Sequence, residues 1–215
     1  MRKKIAIIVG ASRGLGRALC ETLCTSYDIL AVARTVGALE DLDNHIRSIG
    51  GNITLAPIDI TDTMAVKQIC RSTFDRWGHL DLWVQTAIHA PPLSPADHID
   101  PKDWTDALAI NVTAVTTLIT HLAPLLHADS QVVFFDDPVA IASKFFGAYG
   151  ATKAAQISLA RSWAAETRKI GPRIHIFAPC PMPTYTRRRF FPGEDSSNLS
   201  SPQDEAQRLR TLIHS

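Results

Sequence analysis

Tyr149 and Lys153 stand four residues apart in Gly147-Ala-Tyr-Gly-Ala-Thr-Lys-Ala-Ala, a stretch of helical character. Side chains at i and i+4 share a helix face, so a phenol and an ammonium are neighbours there. A nearby ammonium favours the phenolate and lets a phenol with an ordinary pKa of about 10 release and recapture a proton. That is the chemistry of a general acid acting on a carbonyl. The spacing is common, however, and taken alone it describes a surface helix pair equally well.

A second group lies near the amino terminus. After an apolar run over 5–9 comes Gly10-Ala-Ser12-Arg13-Gly14-Leu15-Gly16, a glycine-rich turn opening a helix. The glycines let the chain turn sharply and let backbone approach a pyrophosphate, whose charge the free amides and the helix dipole stabilise. The next apolar run ends Ala31-Val-Ala-Arg34, with no acid to bond a ribose 2′-hydroxyl. Arg13 and Arg34 instead offer guanidiniums, which suit a 2′-phosphate through paired, charge-assisted bonds. NADP(H) is therefore expected over NAD(H).

Short β-rich runs at 5–9, 29–33, 53–58, 82–84, 132–135 and 174–178 alternate with helical periodicity near 14–25, 36–48, 62–77, 102–126, 149–170 and 203–213. This alternation calls for a parallel sheet, and right-handed crossovers put helices on both of its faces. The expected fold is α/β: one doubly wound, three-layer αβα domain of Rossmann type over residues 1–215, with six strands. Segments 89–100 and 180–201, rich in proline, are expected to be mobile connections, the second a short substrate loop.

Composition narrows the function. Hydrophobic residues make up 46% and charged residues 20%, which suits an ordinary soluble core. Lys and Arg number 22 against 21 Asp and Glu, so no overall field draws in nucleic acid or an anionic membrane. The run Arg187, Arg188, Arg189 reads as a solvated loop face. No segment has the length and character of a signal peptide or membrane span, and a cytoplasmic location is expected. Cys20, Cys24, Cys70 and Cys180 form no CxxC pair and no His pair has metal-ligand spacing. The cysteines read as apolar filler, and no metal is expected.

Together these residues resemble the short-chain dehydrogenase/reductase family over roughly 4 to 185. Gly10, Gly14 and Gly16 match its cofactor turn, and Asp59-Ile60 its acidic position near the adenine. Asn111, in Ala109-Ile-Asn-Val, matches its helix asparagine, Tyr149 and Lys153 its YxxxK pair, and Pro179 to Thr184 its segment flanking nicotinamide. The resemblance implies that Tyr149 donates a proton during hydride transfer to a C=O or C=N bond. Lys153 would lower its pKa and hold the nicotinamide ribose, and Asn111 would position a water. Ser12, Arg13, Leu15, Arg34 and Ala87 complete the expected cofactor contacts.

Four departures qualify this. The family's serine, thirteen residues before the tyrosine, is Asp136 here, in Phe134-Phe-Asp-Asp137-Pro138. A carboxylate only accepts hydrogen bonds and would raise the phenol pKa, which suits an N–H-bearing ring better than a ketone. Pteridine reductases of the same family carry Asp at this spacing. Gln85-Thr-Ala87-Ile88 replaces Asn-Asn-Ala-Gly, and Cys180 replaces a glycine. A non-catalytic NADP(H)-binding sensor or scaffold is the competing expectation. The absence of a further strand before Ser215 points to a homodimer through helices near 102–126 and 149–170.

Overall fold

The computed structural model describes residues 3–214. Six parallel strands, β1 (Lys4–Val9), β2 (Tyr27–Ala33), β3 (Ile53–Pro57), β4 (Leu80–Gln85), β5 (Leu126–Phe135) and β6 (Arg173–Phe177), lie in the order β3-β2-β1-β4-β5-β6. Each strand expected from the sequence is present: β1, β2 and β4 begin one or two residues earlier than expected, β3 ends one earlier, β6 is shifted by one, and β5 begins six residues earlier.

Among the described residues there are eight α-helices: α1 (Gly14–Leu23), α2 (Val36–Ser48), α3 (Thr63–Trp77), α4 (Pro101–Leu108), α5 (Ala114–Leu122), α6 (Gly147–Thr167), α7 (Tyr185–Phe190) and α8 (Pro202–Ile213). Strand alternation divides the core between two layers. Ala6 and Ile8 of β1 pack with Leu19, Leu42 and Leu209 of α1, α2 and α8. Ile5, Ile7 and Val9 pack with Val66, Leu118 and Ile157 of α3, α5 and α6. Both faces of β1 are thus buried, which is why its sequence is apolar throughout.

The helical run near 102–126 is not uniform. Between α4 and α5 the chain widens into a π turn over Ala109–Thr113, and a 3-10 turn at Ala123–Leu125 follows α5. By length and composition the stretch Pro101–Leu125 is apolar enough to cross a membrane, which corrects the reading that no segment qualifies. Its apolar residues have a place in the fold: Ala114, Val115, Leu118 and Leu122 are buried against the sheet.

Segment 180–201 also departs from expectation. It contains α7, so the arginine run lies on a helix rather than a loop. Thr184 caps it by accepting the Arg187 N–H at 3.3 Å, and Phe190 is buried against Phe146 and Tyr149, with ring centroids 4.9 Å away in each case. One turn of helix is too short to show a period in sequence, and its proline and serine neighbours conceal it.

β1 lies between β2 and β4, so successive crossovers leave it in opposite directions. A crevice opens at the carboxyl ends of the strands at such a switch point, and the expected site residues all come from those ends or from the helices that follow.

Candidate active site

The glycine turn follows β1 directly. Gly10 has φ +95°, and a Cβ there would come within 2.5 Å of both Ala87 N and Thr86 Oγ1. Thr86 is fixed because its hydroxyl donates to the Val9 carbonyl at 2.8 Å. Gly10→Ala therefore meets both backbone strain and rigid neighbours, and is expected to cost at least about 3 kcal/mol in urea unfolding. The turn then hands α1 an open amino terminus: Arg13 supplies no side-chain cap and no acid occupies the first turn. Such free amides suit a phosphate. Gly14, at φ +53°, faces Thr184, whose Cγ2 would lie 3.5 Å from an added Cβ. Two motifs from opposite ends of the chain therefore meet.

A cleft of about 960 Å³ runs from this turn across the strand ends. That is near the upper end of the usual range for ligand pockets, about 300–1,000 Å³. Ser12, Leu15, Gly16, Ile60, Ala87 and Pro179 line it along with the residues described individually here. At one end Arg34 Nη1 stands 3.7 Å from Asp59 Oδ2. Burial works to raise the Asp59 carboxyl, but the Thr61 N–H and hydroxyl, with Arg34, outweigh it and hold it below the ordinary range. Arg13 lies over the Tyr185 ring at 4.7 Å. The donor set therefore fits a phosphorylated dinucleotide: uncapped amides for the pyrophosphate, and the Arg34 guanidinium at the β2 end for a further phosphate.

Tyr149 and Lys153 occupy the other end, on α6, each 5% exposed. Here the structure corrects three expectations. First, the Tyr149 hydroxyl donates to Asp137 Oδ2 at 3.4 Å, so the carboxylate at the phenol is Asp137 rather than Asp136. Asp136 turns toward Arg161, 3.4 Å away, and its Oδ1 accepts the Asp137 N–H. Counting back from the tyrosine could not resolve which of two adjacent acids the end of β5 would direct inward.

Second, Lys153 Nζ donates to Gln156 Oε1 at 2.9 Å rather than to the phenol. Burial, then Asp137 and Asp136, push the Tyr149 phenol well above its ordinary value, the reverse of the expected phenolate. Burial lowers the Lys153 ammonium to about 8, against the pull of the same two carboxylates.

Third, Asn111 does not line the cleft. It is fully buried in the π turn, where its Oδ1 accepts the His89 N–H at 2.7 Å and its Nδ2 donates to the His89 carbonyl at 2.9 Å and to Thr152 Oγ1 at 3.0 Å. Its own carbonyl accepts from Gln156 Nε2 at 3.0 Å. The asparagine fastens the segment after β4, and Gln156 links it to Lys153. Gln156, 1% exposed, gave no signal in the sequence beyond lying one helical turn after the lysine.

The remaining departures fall within the same wall. Gln85 is buried and its Nε2 donates to the Ala87 carbonyl at 3.2 Å, while Ile88 and Cys180 line the cleft. The Cys180 N–H donates to Glu205 Oε2 at 3.0 Å, a buried carboxylate on α8 that also accepts from Ser200 and Arg208. Cys20, Cys24 and Cys70 are buried free thiols.

Fold and cleft together define a doubly wound α/β domain with a dinucleotide-shaped site at its switch point. The chain belongs to the short chain dehydrogenase family, whose model matches residues 4–195. It is 23% identical over 221 residues to a cis-4-hydroxycyclohexanecarboxylate dehydrogenase of Sinomonas cyclohexanicum, covering 98% of this chain and 89% of that protein. It is 26% identical over 174 residues to a fatty acyl-CoA reductase of Acinetobacter baylyi, a match spanning 79% of this chain and only 59% of that protein. Among solved structures, an alcohol dehydrogenase of the archaeon Thermococcus sibiricus, complexed with 5-hydroxy-NADP, superposes with a TM-score of 0.88 at 21% identity, covering 100% of this chain and 92% of that one.

Proposed function

We propose that the protein is an NADP(H)-dependent oxidoreductase acting on a C=O or C=N bond of a small molecule, with Tyr149 as its general acid. The observation that carries this reading is the single cleft in which the uncapped α1 terminus and Arg34 lie at one end and the Tyr149 hydroxyl at the other. Bound there, the cofactor would supply the hydride. The chain's own part is to hold the dinucleotide on the amides of residues 14–16, to place the substrate against the phenol, and to deliver a proton from Tyr149 Oη. Asp137 Oδ2, which accepts the phenol O–H at 3.4 Å, orients that hydroxyl. Phe146 and Phe190 pack edge-on with the Tyr149 ring and make the surroundings of the phenol apolar, which favours an apolar or planar substrate body. A cytoplasmic homodimer through the helical run after Pro101 and α6 remains part of this proposal.

Calorimetry with NADPH and NADH tests the cofactor half. Wild type is expected to prefer NADPH, and Arg34→Ala to weaken NADPH about tenfold or more while leaving NADH nearly unchanged, because a charge-assisted contact contributes roughly 1.5–3 kcal/mol. Equal losses for both cofactors would remove Arg34 from the 2′-phosphate.

Asp137 favours a second reading on the substrate side, in which an amino-pyrimidine or similar ring gives its N–H groups to the carboxylate. Under this reading Asp137→Asn lowers kcat/KM by about 10²-fold for pterin-like substrates and much less for simple ketones in stopped-flow assays, since hydrogen bonds to a charged group contribute about 1.5–3 kcal/mol each. A non-catalytic binder, supported by the engagement of Lys153 with Gln156, predicts NADPH affinity with no turnover on either panel.

A further inference from the structure

We propose that His79, Asp81 and His127 form a binding site for a divalent cation of the zinc class, at the end of the sheet opposite the cleft. The three come together through the register of two neighbouring strands. His79 follows Gly78, the left-handed residue (φ +81°) that closes α3, and precedes the first residue of β4. Strand alternation puts His79 and Asp81 on one face, two residues apart. Leu80 pairs with Leu126 across β4 and β5, so Asp81 comes to lie beside His127.

The two imidazoles flank one carboxylate, each close to a different oxygen of Asp81. His127 Nε2 is 3.2 Å from Asp81 Oδ1, and His79 Nε2 is 3.5 Å from Asp81 Oδ2. Ligand atoms about 2.0–2.1 Å from a tetrahedral zinc are separated by about 3.3 Å. All three donor atoms lie within 4.8 Å of one another. The imidazole edge closes by small rotations of two rings that are 40% and 42% exposed, with centroids 5.6 Å apart.

The carboxylate is already oriented, because its Oδ2 accepts the Ile5 N–H of β1 at 2.7 Å, the kind of outer bond that fixes a metal ligand. Two imidazoles and one carboxylate form a donor set that takes zinc readily and magnesium poorly, since magnesium demands an octahedron of oxygens. One local cost is visible. His127 Nδ1 accepts the Asp129 N–H at 3.2 Å, and binding through Nε2 requires the other tautomer, so that long bond must open.

The site is separated from the cleft by the length of β4, about 17 Å for five residue steps. Its effect is therefore on the sheet, where an ion would tie β4 to β5 at the point at which their register shifts between Leu80 and Leu82. Three protein ligands leave a coordination position open to water. Local spacing in the sequence hides the site, because one histidine precedes β4 and the other lies on β5.

The test uses the full chain with Cys180→Ser, which removes the exposed thiol as a rival ligand. Calorimetry with Zn²⁺ is expected to show one equivalent bound, and melting at 100-fold excess over Kd to rise by about 5–10 °C. Co²⁺ is expected to give visible bands of tetrahedral intensity. His79→Gln and His127→Gln should each weaken binding at least tenfold, and the double variant should lose both the heat and the bands. The metal-free melting point of each variant, unchanged for such exposed rings, shows that it folds. Zinc binding that persists in the double variant, the absence of saturable binding in the parent, or displacement by excess Mg²⁺ would overturn the proposal.

Discussion

Tyr149→Phe is expected to lower kcat by about 10²–10⁴-fold, the usual contribution of a positioned acid, while NADPH affinity stays within a few-fold of wild type. The ring itself survives the change and keeps its edge-on packing against Phe190 at 4.9 Å and Phe146 at 6.3 Å. The only bond removed is the 3.4 Å contact with Asp137, so the fold should be indifferent. Single-turnover kinetics with NADPH and a carbonyl and pterin panel separates the two effects. Unchanged turnover in the variant would dismiss Tyr149 as the acid.

The pH dependence of the same assay carries a further signature. Because burial and two carboxylates hold the phenol above its ordinary value, Tyr149 stays protonated through the alkaline range and sets no limb there. Lys153, lowered to about 8, loses its charge as pH rises through that value. Reduction is therefore expected to fall above pH 8, and Lys153→Arg, which cannot deprotonate in this range, to abolish that limb.

The second large effect concerns stability. Glu205 is 1% exposed, and its two oxygens hold both ends of the segment carrying α7: Oε2 accepts the Cys180 N–H at 3.0 Å and Oε1 the Ser200 hydroxyl at 2.9 Å. Arg208 completes the cluster with a 2.5 Å bond from the solvent side. Glu205→Ala leaves the Cys180 N–H without its acceptor and empties a filled space. The expected loss is about 3 kcal/mol in denaturant unfolding, less than for a fully buried pair because Arg208 is half exposed.

NADPH binding should weaken as well, since α7 and Thr184 form one wall of the cleft. Burial alone would raise the Glu205 carboxyl, but Arg208, the Cys180 amide and Ser200 outweigh it and hold it below its ordinary value. Its ionic contribution is accordingly full above about pH 4.3, the unfolded value, and disappears as pH falls through the lower folded one. A stability gap between wild type and Glu205→Ala that does not narrow in acid would contradict this account, the part due to lost packing persisting at every pH.

Much of this protein is legible from local sequence. The glycines at 10, 14 and 16 declare a turn: a Cβ at Gly10 or Gly16 would run into neighbouring backbone and Thr86, and Gly14 sits at a positive φ that side chains rarely adopt. The six strands and the main helices follow from apolar periodicity, which is a property of neighbouring residues. The missing acid at the end of β2 is likewise a local fact, and with Arg13 and Arg34 it is what makes NADP(H) the expected cofactor.

What only the tertiary structure decided is where side chains point once elements pack. Asp136 and Asp137 are chemically identical and adjacent, and the path of the chain leaving β5 selects the second for the phenol. Lys153 finds Gln156 instead of Tyr149, and that amide is oriented in turn by the bond its Nε2 gives to the Asn111 carbonyl of the π turn. Glu205 meets Cys180, and His79 meets His127, through contacts between residues far apart in sequence. Periodicity describes residues within a helical turn or a strand pleat, whereas these pairings depend on sheet order and register, which form only when the whole sheet has assembled.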